Sequence, residues 1–436
     1  MGMFTYYLDL ALRSFRSARA LTVLMVLALG LGIGACMTTL TVYHVLSGDP
    51  IPGKSARLFD VQLDAANMVG YKPGEEPTFQ LTRFDAEALL RAKHAKRQVM
   101  MTGANVAVQP ALEALKPFFS PARFTSADFF AMFEAPFRHG SGWDAQADAA
   151  QARVVVISRA LNDKVFGGEN SVGRELRIRS ETMRVVGVLN DWRPVPHYFD
   201  LTRGNYADAE DVYMPVSTAL GLKFGSSGNM DCWGDSAGAG PRELSSPCSW
   251  LQYWVELESP AQASAFRDYL TQYSDEQRRA GRFERPSNVR LRNVVDLLVY
   301  RQVLPGDVRL QVWLAFGFLL VCLTNTVGLL LAKCLRRSAD IGVRRAQGAT
   351  RGANFAQFVV EAGLLGLAGG LLGLVLAAAG LWLVRLSPAE YAPLAQMDWP
   401  MLGLTLLLSL LASLAAGLLP AWRASGVTPA QQLKTQ

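Results

Sequence analysis

DIGVRRAQGATR, Asp340 to Arg351, is the stretch on whose reading the fold turns. It lies between two long apolar runs, Val308 to Ala332 and Phe355 to Val384, and carries three arginines and one carboxylate in twelve residues. Lys333, Arg336 and Arg337 stand just upstream, so the whole connection is cationic. A short basic loop between two apolar spans reads as cytoplasmic, because lysine and arginine close to a membrane favour the inner side. Gly348 and Thr350 are poor interior helix residues, and they place a helix end near Ala349 and a new start after it. The expectation is a short amphipathic helix at the inner surface, joined to two membrane helices. Ile341, Val343 and Ala346 would give it small apolar contacts, and Arg344 and Arg345 could pair with carboxylates. Such an element can pass a push from a soluble partner into the bilayer.

Working outward, half of the 436 residues are apolar, and they are concentrated in Leu21 to Leu46, Val308 to Ala332, Phe355 to Val384 and Met401 to Leu419. Each run is near or above the ~20 residues that a helix needs to cross hydrocarbon. The fold class expected is an α-helical membrane protein with four transmembrane helices and a large α+β extracytoplasmic domain between the first and second. In numbers, residues 1–20 form an amphipathic helix, 21–46 the first span, 47–307 the domain, 308–332 the second span and 333–354 the inner loop. The third span is 355–385, a short outer loop 386–399, the fourth span 400–420 and a tail 421–436. The first run is too long for the apolar core of a cleaved signal peptide and reads as an uncleaved anchor. The net charge of +6 sits largely beside span ends, at Arg13, Arg16, Arg19, the inner loop, Arg423 and Lys434. Topology accounts for it better than nucleic acid does. Both termini are then cytoplasmic.

GDPIPGKS, Gly48 to Ser55, matches the phosphate-loop spacing letter for letter. The expectation is nevertheless that no nucleotide binds there. A phosphate loop needs a strand before it, a helix after it and a row of free amides. Here an apolar helix precedes, Pro50 and Pro52 remove two amides, and Leu58 to Leu63 alternates as a strand. Four scattered histidines suggest no metal site, and no serine or cysteine stands in a nucleophile context.

Within the outer domain, Arg153 to Ile157, Glu175 to Ile178 and Met183 to Leu189 read as strands, and Arg83 to Lys93, Ala127 to Phe133 and Arg159 to Val165 as helices. Trp250 to Val294 reads as strand, helix and strand, with Ser259 capping a helix that opens on Pro260. Two α+β subdomains are therefore expected, joined around Asn190 to Asp231. That joining segment holds Trp192, Pro194, Pro196, His197, Tyr198 and Tyr206. It is either a surface for a partner or apolar ligand, or a long loop packed on its own domain. Cys232 and Cys248 lie outside, in a Gly- and Ser-rich loop, where a disulfide is plausible in an oxidising compartment. Closing about 15 residues is worth ~3 kcal/mol in the chain-entropy model. In the third span, Gly363, Gly366, Gly369, Gly370 and Gly373 form a small-residue face suited to close helix packing. Glu361 and Asn325 are too little intramembrane polarity for a continuous ion path.

RRSADIGVRRAQGATRGANFAQFVVEAGLLGLAGGLLG, Arg336 to Gly373, resembles the inner loop and third span of the MacB/FtsX/LolC-type permeases of ABC transporters. LLPAWRASGVTPAQQLK, Leu418 to Lys434, resembles the end of the same family. FTSADFFAMF, Phe124 to Phe133, and Val154 to Val188 are similar to its MacB-type periplasmic core. Asp340 stands where that family usually has Glu, and Gln347 where an aliphatic residue is usual. The resemblance implies an inner-membrane permease working as a homo- or heterodimer with a separate cytoplasmic ABC ATPase, which would carry the ATP and Mg. No cofactor is expected in this chain, nor enzymatic activity, nor a nucleic-acid partner. Asp340, Ile341, Val343, Arg344, Arg345, Ala346 and Gly348 are the residues expected to couple to the ATPase. The resemblance further suggests a periplasmic adaptor protein and an outer-membrane channel as partners, with membrane lipids around the spans. The implied activity is mechanotransmission, in which ATP-driven closure moves the periplasmic domains to expel or extract an amphipathic substrate. The alternative is an FtsX-like, non-transporting regulator of an extracytoplasmic enzyme. A sensor or membrane-anchored enzyme would need a catalytic cluster that the sequence does not display.

Overall fold

The computed structural model describes residues 3–110, 116–234, 240–336, 350–397 and 399–425. The chain divides into two compact units, residues 1–47 with 304–436, and residues 48–303.

The first unit is helical. Helix α1 (Met3–Ser17) is followed at once by α2 (Arg19–Ser47). After the inserted domain come α10 (Gly306–Arg336), α11 (Arg351–Arg385) and α12 (Trp399–Ser425). Four helices, α2, α10, α11 and α12, are long and apolar enough to cross a membrane, and they are the four spans. An apolar helix suits lipid because every interior backbone group is satisfied within it. The second and third spans extend further toward their connection than the apolar runs suggest. Lys333 to Arg336 belongs to α10, and Arg351 to Asn354 to α11, where the Thr350 hydroxyl accepts from the Ala353 amide at 3.2 Å. Hydropathy marks the thickness of the hydrocarbon, whereas a helix ends where its backbone finds a cap.

The inserted unit is built on one 12-stranded mixed sheet. Its strands are β1 (Leu58–Leu63), β2 (Leu81–Thr82), β3 (Arg97–Gln109), β4 (Phe118–Thr125), β5 (Phe137–Gly140) and β6 (Val154–Ile157). They continue with β7 (Glu175–Ile178), β8 (Glu181–Leu189), β9 (Val212–Pro215), β10 (Asp231–Cys232), β11 (Cys248–Glu256) and β12 (Val289–Asn293). The main order is β12-β1-β11-β3-β4-β9-β6-β8-β5, with β4–β9 and β6–β8 parallel. The helices are α3 (Arg83–Ala92), α4 (Phe129–Met132), α5 (Ala145–Ala149), α6 (Arg159–Phe166), α7 (Val216–Gly221), α8 (Pro260–Arg279) and α9 (Val294–Tyr300). Ser259 caps α8 through the Gln262 amide.

The expected second subdomain does not stand by itself. β11, α8 and β12 form, but β1, from the start of the insert, lies between the two strands, and β11 pairs on its other side with β3. A strand at the edge of a self-contained unit would leave its amides unpaired. The alternation of β1 and β11 instead feeds two cores, one on each face of the sheet. Val61, Leu63, Leu251, Tyr253 and Val255 join Phe266 and Leu270 of α8 on one face. Leu58 and Trp254 join Phe129, Phe133, Tyr198, Phe199 and Tyr213 in an aromatic cluster on the other.

That aromatic cluster settles the joining segment. His197, Tyr198, Phe199 and Asp200 are each about 1 % exposed, and the indole of Trp254 donates to the Phe199 carbonyl at 3.0 Å. The segment is packed on its own domain. Beneath it Arg123 of β4 is fully buried between Asp200 (2.5 Å) and Glu210, with its guanidinium 5.2 Å from the Phe199 ring. Burial alone would raise both carboxyls, but the guanidinium together with the other hydrogen-bonding neighbours outweighs it and holds Glu210 and Asp200 below the usual carboxylate range.

Candidate coupling site

The spans carry one buried charged junction among the described residues, and it stands beside the connection between the second and third. Lys333 lies in the last turn of α10, where a cation also suits the helix dipole. Its ammonium meets the Glu361 carboxylate of α11, and the two side chains are 5 % and 2 % exposed. Ser14 of α1, itself buried, donates its hydroxyl to the same oxygen, Glu361 Oε1, at 2.6 Å. The Phe15 ring lies 4.8 Å from the Lys333 ammonium, and Cys334 packs on Phe358. Glu361 Oε2 is buried with no hydrogen-bond partner among the described residues. Three helices are thus tied at one point: the amphipathic N-terminal helix and the two that flank the basic connection.

Charge this deep in an apolar bundle is retained only when paired, and rupture of such a pair is costly because it strands an ion away from water. The junction therefore resists separation of α1, α10 and α11, and it is suited to make them move together. Sequence reasoning missed it by assigning Lys333 to the loop. The available signal was a single lysine and a single glutamate near the same end of consecutive antiparallel spans.

Asp340, Ile341, Val343, Arg344, Arg345, Ala346 and Gly348 lie outside the described residues. The glycine face of α11 divides in two. A side chain at Gly369 or Gly373 would meet Leu29 or Ile33 of α2, and one at Gly366 or Gly370 would meet Ser413 or Ser409 of α12. The absence of side chains at these four positions lets α11 approach both neighbours. Gly363 is the exception, with open space where a Cβ would be; the spacing that placed it on the face does not reveal where a neighbour begins.

Cys232 and Cys248 face each other across the β10–β11 pair, with Cα atoms 4.1 Å apart and sulfurs bonded. The phosphate-loop look-alike is a turn between α2 and β1. Its Asp49 accepts from Ser55 Oγ at 2.6 Å, and its Lys54 donates to the Ala131 carbonyl at 2.9 Å. Arg91 pairs with Glu87, Arg97 with the buried Glu256 and Lys96 with Glu258, each of the three cations at least partly in solvent.

Four spans and a sheet-rich domain inserted after the first define a polytopic membrane protein with one large domain between its first two spans. Its relatives agree. Residues 22–273, more than half of the chain, match the MacB-like periplasmic core domain, and residues 312–429 the FtsX-like permease C-terminal domain. The chain belongs to this MacB/FtsX family of ABC transporter permeases. It is 27 % identical over 293 residues to the macrolide export ATP-binding/permease protein MacB of Rhodopirellula baltica, covering 65 % of this chain and 41 % of that protein. It is 33 % identical over 116 residues to an uncharacterized ABC transporter permease, YknZ, of Bacillus subtilis, covering 27 % and 28 %. The chain thus spans less than half the length of these relatives. The periplasmic region of MacB from Actinobacillus actinomycetemcomitans superposes with a TM-score of 0.38 at 15 % identity, covering 59 % of this chain and 96 % of that one.

Proposed function

We propose that this chain is the permease subunit of a MacB-type ABC transporter, driven by an ATPase on a separate polypeptide that holds ATP and Mg. The spans cross an inner membrane with both termini and the 333–354 connection cytoplasmic, and residues 48–303 lie in the periplasm. Two permease chains act together. The residues Asp340 to Gly348 dock on the ATPase, and its closure is passed through α10 and α11 to the periplasmic domains, expelling or extracting an amphipathic molecule. A periplasmic adaptor and an outer-membrane channel complete the path.

The observation that carries this reading is the Ser14–Glu361–Lys333 junction. It ties the two helices on either side of the proposed docking element, so that a displacement of the connection moves them as one body rather than bending them apart. The relatives named for macrolide export support the substrate class in kind only, as large amphipathic molecules. The test is the double charge reversal Arg344→Glu with Arg345→Glu. Loss of a buried interface charge typically costs ~2–5 kcal/mol of binding, enough to release the ATPase or uncouple it. Insertion and permease pairing should be unchanged, while copurification of the ATPase and its stimulated hydrolysis are lost. Full association and activity in this variant would refute the docking role.

A further inference from the structure

On the aromatic side of the sheet lies a polar recess that the coupling reading does not use. Asp60 and Gln62 of β1 share that face, with Asp60 opposite Trp254 of β11 and Arg292 of β12. A cavity of about 30 Å³ sits there, lined by Asp60, Gln62, Gln252, Tyr198, Asp200 and Arg301 among others. A site holds a water from roughly 10–15 Å³ upward, so this one takes about two. Asp60 is only 5 % exposed. Two buried polar atoms of the lining have no hydrogen-bond partner among the described residues: Gln252 Oε1 and Tyr198 Oη. Orphaned atoms of this kind are uncommon in native cores, and each calls for a partner such as a water or for a role that offsets its cost.

Of the charges facing Asp60, Arg292 and Asp200 are committed elsewhere, and Arg301 attracts it without forming an ion pair among the described residues. From β12, Arg292 bonds Glu76 at 2.7 Å and Gln62 Oε1 at 2.8 Å. After α9, Arg301 lies 3.8 Å from the Phe79 ring. From the covering segment, Asp200 is held by Arg123, by Thr202 and by Gln252 Nε2 at 3.0 Å. β11 contributes Gln252 and Trp254, neither of them charged. Asp60 makes no ion pair among the described residues, and its neighbours include one further carboxylate, Asp200. A cation would have to enter beside Arg292 and Arg301. A proton needs no such room.

We propose that this cavity is a proton-binding site, in which Asp60 is held as the neutral acid and supplies, directly or through water, the donor that Gln252 Oε1 lacks. On losing the proton it becomes a buried anion and loosens the cover formed by residues 198–203 and α9. The electrostatics agree: burial pushes the Asp60 carboxyl up to about 7 against the opposing pull of Arg292, a hydrogen bond from Gln62 and the charge of Arg301. A carboxyl raised in the folded state binds its proton more tightly there than in the unfolded chain. Its contribution to stability is therefore fully present below the ordinary aspartate range and is lost as pH rises through about 7. The cover is the part of the domain that also carries Asp200 and the Trp254–Phe199 bond, so the proton would regulate how firmly it is seated.

Hydrogen–deuterium exchange of the full-length chain in detergent, read by mass spectrometry and corrected for intrinsic rates, tests this. Between about pH 6 and about pH 8, one unit past the midpoint, protection of peptides spanning 198–203 and 294–301 should fall by about tenfold in the wild type. Peptides of α8 should not change. Asp60→Asn, which keeps the shape and cannot ionise, should abolish the response, and Asp60→Ser should do the same. Asp148→Asn, which removes another carboxyl that burial pushes up, to about 6, should leave it intact. Equal wild-type protection at both pH values overturns the proposal whatever the variants do, and so does a pH response that survives in Asp60→Asn.

Discussion

The junction of Ser14, Lys333 and Glu361 makes a quantitative demand that a double-mutant cycle can meet. Lys333→Met removes the cation and leaves Glu361 buried, with the Ser14 hydroxyl its remaining donor among the described residues. Glu361→Leu removes the anion and leaves an ammonium at 5 % exposure facing the Phe15 ring. Breaking a buried pair by deleting one partner costs about 3–5 kcal/mol, while replacing both by apolar side chains of similar volume is often neutral. Each single variant should therefore lower stability by ~3–5 kcal/mol, and the double variant should return to within about 1 kcal/mol of the wild type. Ser14→Ala, which removes one hydrogen bond to a charged group, should cost ~1.5–3 kcal/mol. Its effect should shrink in the Glu361→Leu background, because that acceptor is gone. Reversible unfolding of the purified protein in a mild detergent supplies the four corners. A coupling of several kcal/mol between 333 and 361 is expected, well above the few tenths seen for independent sites. Additive single effects, or single effects below about 1 kcal/mol, would show that the pair is not a buried tie, and the rigid-body argument would fail with it.

The remaining expectations are simpler. In an otherwise cysteine-free chain, cysteines at Ser141 or Ser264 should react with a membrane-impermeant thiol reagent in intact cells and one at Ser338 should not; labelling of all three contradicts the proposed orientation. Non-reducing peptide mapping of protein from its own compartment should recover one cross-linked fragment holding Cys232 and Cys248, and two freely alkylated thiols would exclude the bridge there. Gly366→Val places new atoms against Ser413, where even a Cβ would come within 1.9 Å of the hydroxyl, and overpacking of this kind costs ~1–3 kcal/mol. Gly363→Val meets open space and should cost far less; equal losses in the same unfolding assay would contradict the packing described. Gly348→Val should leave the spans inserted yet reduce stimulated ATP hydrolysis, and unchanged hydrolysis would remove Gly348 from the coupling element.

The sequence by itself determined the features that depend on local pattern. Four apolar runs are readable because a span must satisfy its own backbone and match the hydrocarbon around it. β1 and α8 are readable because alternation and a Ser-Pro start are written in consecutive residues. The family was legible in the Arg336 to Gly373 motif for the same reason. Only the tertiary structure decided what consecutive residues cannot express. It set β1 between β11 and β12 and so made one sheet where two subdomains were expected. It turned the aromatic joining segment inward over Arg123, and it brought Ser14 to Glu361 across 347 positions of chain. Lys333 reads as one more basic loop residue until a second helix places a carboxylate against it. The physical reason is the same in each case: burial and ion pairing are properties of which surfaces meet, and that is settled by long-range packing rather than by the spacing of residues along one element.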